Sequence, residues 1–130
     1  MTLVDTTVWI DWLRGSSTRS TCLLDSLLEE GDTLLAPLIL QEILQGAHSE
    51  AALKTLQRQF MALPMLRPDV ANHAAAGALY ARCRWQGITP RSPHDCLIAQ
   101  LAIENDLPLL HADRDFEALA RVNPKLRLLP

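Results

Sequence analysis

The apolar runs of this chain are short, and they lack clear alternation of apolar with polar residues. Residues 3–4, 33–36, 63–66, 109–110 and 126–129 are the strand candidates, and stretches of helical periodicity separate them. A strand that is apolar on both faces must be covered on both faces. Short runs of this kind, interleaved with helices, predict an α/β domain with a parallel sheet buried between helices.

Start and stop signals delimit the helices. Thr6 or Thr7 can cap a first helix through Trp9, Ile10 and Leu13, and Gly15 follows it. Leu23, Leu24, Leu27 and Leu28 recur at helical spacing ahead of Gly31. Pro37 suits the first turn of a helix ending near Gly46. Ala52, Leu53, Leu56 and Phe60 mark the next helix. Asp69 can cap an Ala-rich helix reaching Trp85, and the turn at Arg91, Ser92 and Pro93 opens another through Leu97, Ile98 and Leu101. Phe116 and Leu119 belong to a short last helix.

A length of 130 residues suits one domain, residues 1–130, with a single core. With only 5% aromatic residues, that core has to rest on Leu, Ile, Val and Ala. Asp5 and Asp11 interrupt the N-terminal apolar residues, so no secretory leader is expected. The longest apolar run, residues 34–40, contains Pro37 and is too short to span a bilayer. A soluble, cytoplasmic protein without a membrane partner is expected. Cys22, Cys83 and Cys96 are scattered and odd in number, which points to reduced, mostly packed thiols rather than a zinc site or a disulfide framework. The net charge of −3 excludes a broadly basic nucleic-acid binder. Any such site must be a local patch, and ten of the twelve basic residues are arginines suited to phosphate.

The carboxylates carry the chemical signal. In open α/β sheets, sites form at the carboxyl ends of the strands. Asp5 and Asp113 each follow an apolar strand candidate closely, although helix capping explains such a residue equally well. Glu42 lies among apolar residues on a helix, where a solvated face is the plainer explanation. Asp95 stands at a helix start, where the helix dipole favours it. Together, three or four carboxylates at one sheet edge would repel one another unless a hard divalent cation were held among them. Such a cation suits hydrolysis of a phosphodiester.

Four segments bear a family resemblance. Val4-Asp5-Thr6-Thr7-Val8-Trp9-Ile10-Asp11, Gln41-Glu42-Ile43-Leu44-Gln45-Gly46, Pro93-His94-Asp95-Cys96-Leu97-Ile98-Ala99 and Leu110-His111-Ala112-Asp113-Arg114-Asp115-Phe116 resemble, in order, the four acidic motifs of PIN domains of the VapC toxin type. The resemblance implies a three-layer α/β/α fold with a short central parallel sheet. It also implies an endoribonuclease dependent on Mg²⁺ or Mn²⁺, acting as a homodimeric toxin held in check by a cognate VapB-type antitoxin. Asp5, Glu42, Asp95 and Asp113 take the catalytic and metal-binding roles. Asp115 is an accessory candidate, and Thr7 a hydrogen-bond partner for a ligand carboxylate or a water on the metal. The family often has Thr or Ser where His111 stands.

Other residues admit two readings. Arg82, Arg84 and Arg91 bracket Trp85, either as a solvated helix end or as an RNA-phosphate patch with a stacking surface. Arg14 and Arg114, near Asp5 and Asp113, can bind phosphate or pair with carboxylates. His48, His73, His94 and His111 form no H-x-x-x-H pair, and only His94 and His111 are near the carboxylates. Trp9 and Trp12 read as packing or interface residues, with an antitoxin helix expected to dock beside them. That antitoxin would place a C-terminal Arg or Lys among the carboxylates. A haloacid-dehalogenase-type phosphatase also begins with Asp after the first strand, but Thr7 stands where that chemistry needs a second Asp. The remaining alternative is a catalytically weak PIN-like module that binds RNA or protein.

Overall fold

Leu3 is fully buried and has a strand on each side, opposite Leu34 in one direction and Leu109 in the other. It belongs to β1 (Thr2–Val4), one of two inner strands of a four-stranded sheet with β2 (Thr33–Leu34), β3 (Leu109–Leu110) and β4 (Leu128–Leu129). The order is β2-β1-β3-β4, and every pairing is parallel. Successive residues of a strand point to opposite faces. Leu3 and Val4 are both buried, as are Leu109 and Leu110, so helices cover both faces of the inner strands. The computed structural model describes residues 1–129; Pro130, the last residue of the expected domain 1–130, lies outside them.

Seven helices supply that cover: α1 (Thr6–Leu13), α2 (Arg19–Glu30), α3 (Pro37–Gln45), α4 (Glu50–Met61), α5 (Val70–Trp85), α6 (Pro93–Glu104) and α7 (Arg114–Val122). They pack in two groups. In one, α1 contacts α2 and α3, and α3 contacts α4; in the other, α5, α6 and α7 contact one another. This is the expected α/β/α arrangement. Most of its punctuation is local chemistry. Thr18 with Thr21 and Asp69 with Asn72 form reciprocal capping boxes on α2 and α5, and Gly31 ends α2 in the left-handed conformation that glycine adopts without strain.

Four boundaries differ from expectation, the first being β2, which ends at Leu34 rather than at residue 36. Asp5, not Thr6 or Thr7, caps α1, because its carboxylate reaches the Thr7 amide while Thr6 is already helical. Residues 63–66 contribute one parallel bridge, Leu35 to Met65. Leu35 N donates to Pro64 O and Leu66 N donates to Leu35 O, but Pro64 and Pro68 have no amide hydrogen with which to lengthen the ladder. At the other edge, Leu126 turns back on Asn123 and enters the core, so β4 begins at Leu128. No helix of the described residues is long and apolar enough to cross a membrane.

Candidate active site

With the order β2-β1-β3-β4, chain connections leave β1 towards one edge and β3 towards the other, so a crevice opens between the carboxyl ends of these two strands. Asp5 stands at one lip. Its amide donates to Leu110 O at 2.9 Å, which ties the end of β1 to the end of β3. Asp5 Oδ2 accepts from Thr7 N at 3.1 Å and from Thr7 Oγ1 at 2.6 Å. Thr7 Oγ1 in turn accepts from Ala112 N at 3.2 Å, beyond β3. The capping role, one of two alternatives on sequence grounds, is thus met, and the same residue borders the crevice. Only 3% of Asp5 is exposed, and burial pushes its pKa up against the opposing hydrogen bonds of Thr7 and Thr6; the Asp113 charge raises it further.

Glu42 reaches the crevice from α3. It is half-buried, and Thr6 Oγ1 donates to its Oε1 at 3.0 Å, so consecutive threonines hold consecutive members of the site. Burial raises the Glu42 pKa, the Thr6 bond and the nearby His94 lower it, and the Asp5 charge raises it.

Asp95 lies in the first turn of α6, behind the Ser92 cap and Pro93. Its pKa is pushed up to about 7, first by burial and then by the charges of Asp5, Asp113, Asp115 and Glu42. Asp5 and Glu42 act on Asp95 through their charge but lie outside the closest grouping of carboxylates among the described residues. Asp113 caps α7, accepting from Asp115 N at 3.0 Å. Asp95, Asp113 and Asp115 each bring a ligand atom within 4.8 Å of the others. Asp115, an accessory candidate on sequence grounds, is a full member of this cluster.

This donor set fits a hard divalent cation. It consists of carboxylate oxygens, with no thiolate and no imidazole in the cluster of three. Two of the three thiols are packing groups: burial raises the Cys83 pKa, and burial chiefly lifts that of Cys96 to about 12, so both are neutral; Cys22, against the expectation of packing, is exposed. His111 Nδ1 lies 2.9 Å from the Asp113 carbonyl oxygen and 3.2 Å from the Asp113 amide nitrogen, and the ring meets Phe116 edge to face at 5.5 Å. The histidine thereby shapes the turn that presents Asp113.

The cationic candidates separate. Arg91 enters the acidic cluster: Nη2 donates to Asp113 Oδ1 at 2.7 Å and Nε to Asp115 Oδ2 at 3.3 Å. Arg82 and Arg84 are exposed on the last turn of α5 beside Trp85, which is 79% exposed, and neither forms an ion pair among the described residues. Arg114 is exposed at the start of α7. Arg14 caps the end of α1 and, with Glu42, Ile10, Leu13 and His48, lines a groove of about 540 Å³. Trp9 is buried, stacked edge to face on Phe60 and Trp12 at 5.0 and 5.7 Å, so it is packing and cannot receive a partner helix. Two relationships had no signal in the sequence: the Thr6–Glu42 bond and the Arg91 pairing, both between residues far apart in the chain.

A parallel α/β domain with a partly buried acidic cluster beyond the ends of β1 and β3 has the donor set and the crevice that a divalent cation beside a phosphodiester would need. The comparisons with known proteins identify the family. The PIN domain family model matches residues 2–122. The VapC ribonuclease Mb1587 of Mycobacterium bovis is 37% identical over 125 residues, covering 94% of this chain and 93% of that one. Ribonuclease VapC11 of Mycobacterium tuberculosis matches with the same identity and coverage. The chain belongs to the PIN domain family, and its relatives there are VapC ribonucleases. The fold matches VapBC2 of Rickettsia felis, solved bound to a DNA fragment from its promoter, with a TM-score of 0.76, 17% identity, and coverage of 98% of this chain and 96% of that one. It also matches FitAcB of Neisseria gonorrhoeae, with a TM-score of 0.75, 20% identity, and coverage of 100% and 97%.

Proposed function

We propose that the chain is an endoribonuclease dependent on Mg²⁺ or Mn²⁺, the toxin of a toxin–antitoxin pair, with Asp5, Glu42, Asp95 and Asp113 as its catalytic and metal-binding residues and Asp115 as an additional ligand. The observation that carries this reading is the cluster of Asp95, Asp113 and Asp115, whose ligand atoms lie within 4.8 Å of one another, with Asp5 and Glu42 near enough for their charges to act on Asp95. When bound, the cation supplies an activated water and neutralises charge on the phosphodiester. The protein's own groups do the rest. Thr7 holds Asp5 and Thr6 holds Glu42, so two ligands are oriented before metal arrives. Asp113 is held by its capping bond to α7. Arg14, Arg82, Arg84 and Arg114 are the residues available to RNA phosphates, with Trp85 as a stacking surface.

The partner is an antitoxin of the VapB type, an inference supported by relatives solved as VapBC complexes. A C-terminal Arg or Lys inserted among the carboxylates would neutralise them and exclude the cation. Homodimerisation is part of the same reading, and sedimentation of the isolated chain over a range of concentrations tests it. Cleavage of a mixed RNA pool with Mn²⁺, with and without EDTA, tests the central assignment. Chelator-sensitive cleavage by the native chain and none by Asp95→Asn is the expected result. RNA binding without cleavage would leave the weak binding module instead.

A further inference from the structure

Arg91 is placed unlike any other cation in the described residues. Its Nη2 and Nε reach two of the three clustered carboxylates, and its own amide donates to Asp115 Oδ2 at 3.1 Å. The Arg91 side chain is 75% exposed, whereas those of Asp113 and Asp115 are 16% and 21% exposed. The guanidinium therefore covers the rim of the cluster from the solvent side. Asp106 forms the other ion pair, with Arg127, and belongs to no carboxylate cluster.

We infer that Arg91 is a substrate-phosphate ligand that Asp113 and Asp115 hold in reserve, and that uptake of a divalent cation by the cluster frees it. The inference rests on the metal-dependent ribonuclease reading above. A guanidinium and a small divalent cation seek the same carboxylate oxygens, and each repels the other at close range. The cation concentrates two charges and favours the carboxylates, while the exposed arginine holds them weakly. Loss of its side-chain contacts would not send Arg91 away. The bond from its amide to Asp115 involves no cationic group, and it keeps the side chain within reach of the cluster. A freed guanidinium at the edge of a cation site presents a planar fork suited to bidentate contact with a phosphodiester. Arg82 and Arg84 carry the same charge but make no contact with the carboxylates, so they cannot respond to the metal in this way.

Metal and RNA are then coupled through one side chain, and the coupling is reciprocal. The native chain, Arg91→Gln and Arg91→Lys are compared at equilibrium without RNA, following free Mn²⁺ by its paramagnetic resonance signal. Arg91→Gln should bind Mn²⁺ about twofold to tenfold more tightly than the native chain, because no guanidinium competes. Arg91→Lys, which keeps the charge but loses the fork, should fall between them. A short single-stranded phosphorothioate RNA is then titrated by fluorescence anisotropy with and without Mn²⁺. Mn²⁺ should strengthen RNA binding several-fold more in the native chain than in Arg91→Gln, with partial rescue in Arg91→Lys. Equal or weaker Mn²⁺ binding by Arg91→Gln, or equal enhancement of RNA binding in both, would make Arg91 a fixed brace and overturn the inference alone. A native chain that takes up no Mn²⁺ would overturn both this inference and the reading on which it rests.

Discussion

The Thr7 hydroxyl donates to Asp5 Oδ2 at 2.6 Å while accepting the Ala112 amide at 3.2 Å. One side chain thus fixes the most buried carboxylate of the site and joins the ends of two neighbouring strands. Thr7→Val keeps the shape and removes both bonds. It should lower cleavage by about tenfold to a hundredfold, the usual loss when a residue orienting a metal ligand is removed. Thr7→Ser, which retains the hydroxyl, should recover most of it. Steady-state cleavage of one RNA by the three proteins decides the matter, and equal rates for Thr7→Val and the native chain would remove Thr7 from the site.

Asp95 makes the metal-free protein sensitive to pH. Its ordinary pKa is 3.8 and its folded value about 7, so the folded chain holds a proton that the unfolded chain has released. The contribution to stability is fully present below about pH 4, is lost as pH rises towards 7, and is level above that. Asp5 and Glu42 shift in the same direction. Urea unfolding in EDTA from pH 4 to pH 8 should show this decline, and Asp95→Asn should flatten it. A native profile that rises across the interval would contradict the crowding.

Removing one charge should also stabilise the metal-free chain at pH 8. Asp95 is only half-buried, so screening leaves about 1 kcal/mol, or about 3–5 °C in Tm. Asp95→Asn should melt higher than the native chain in EDTA, while Mn²⁺ should raise the native Tm and leave the variant unchanged. Thermal denaturation with and without Mn²⁺ reports both effects.

Arg82 and Arg84 offer a separate test of the RNA path. If both meet phosphates, Arg82→Ala combined with Arg84→Ala should reduce the salt slope of RNA binding by about 1.4, at about 0.7 per single-strand contact. Trp85→Ala should weaken binding with no change in slope, because stacking releases no counterions. Unchanged affinity and slope would return this helix end to a solvated surface.

The legible part of the site was the part encoded locally. Asp5 and Asp113 each stand between a short apolar strand and a helix, and that order alone placed them at a sheet edge. Asp95 sits in a first helical turn marked by Ser92 and Pro93, and both capping boxes lie within four residues. The relationships that escaped depend on how distant segments meet. Thr6 and Glu42 are 36 positions apart, and Arg91 and Asp113 are 22 apart. Arg91 was grouped with Arg82 and Arg84 by proximity in sequence, but the turn after α5 carries it to α7. The strand expected at residues 63–66 is reduced to a single bridge for a different reason: apolar character suits a ladder, but Pro64 within it and Pro68 just beyond it lack the amide hydrogens to extend one.

The pairing of β1 with β3 also bears on when activity can arise during synthesis. Thr7 and Ala112 are 105 positions apart, so the bond that fixes Asp5 cannot form until the segment beyond β3 has left the ribosome. A nascent chain displaying Asp5 and Glu42 still lacks the opposite lip of the crevice. Contacts of such long range come late in folding, after the loop between them has been closed. An unfinished polypeptide therefore carries no assembled nuclease beside the RNA being translated, and a chain truncated before β3 should be inert however much of its helical scaffold has formed.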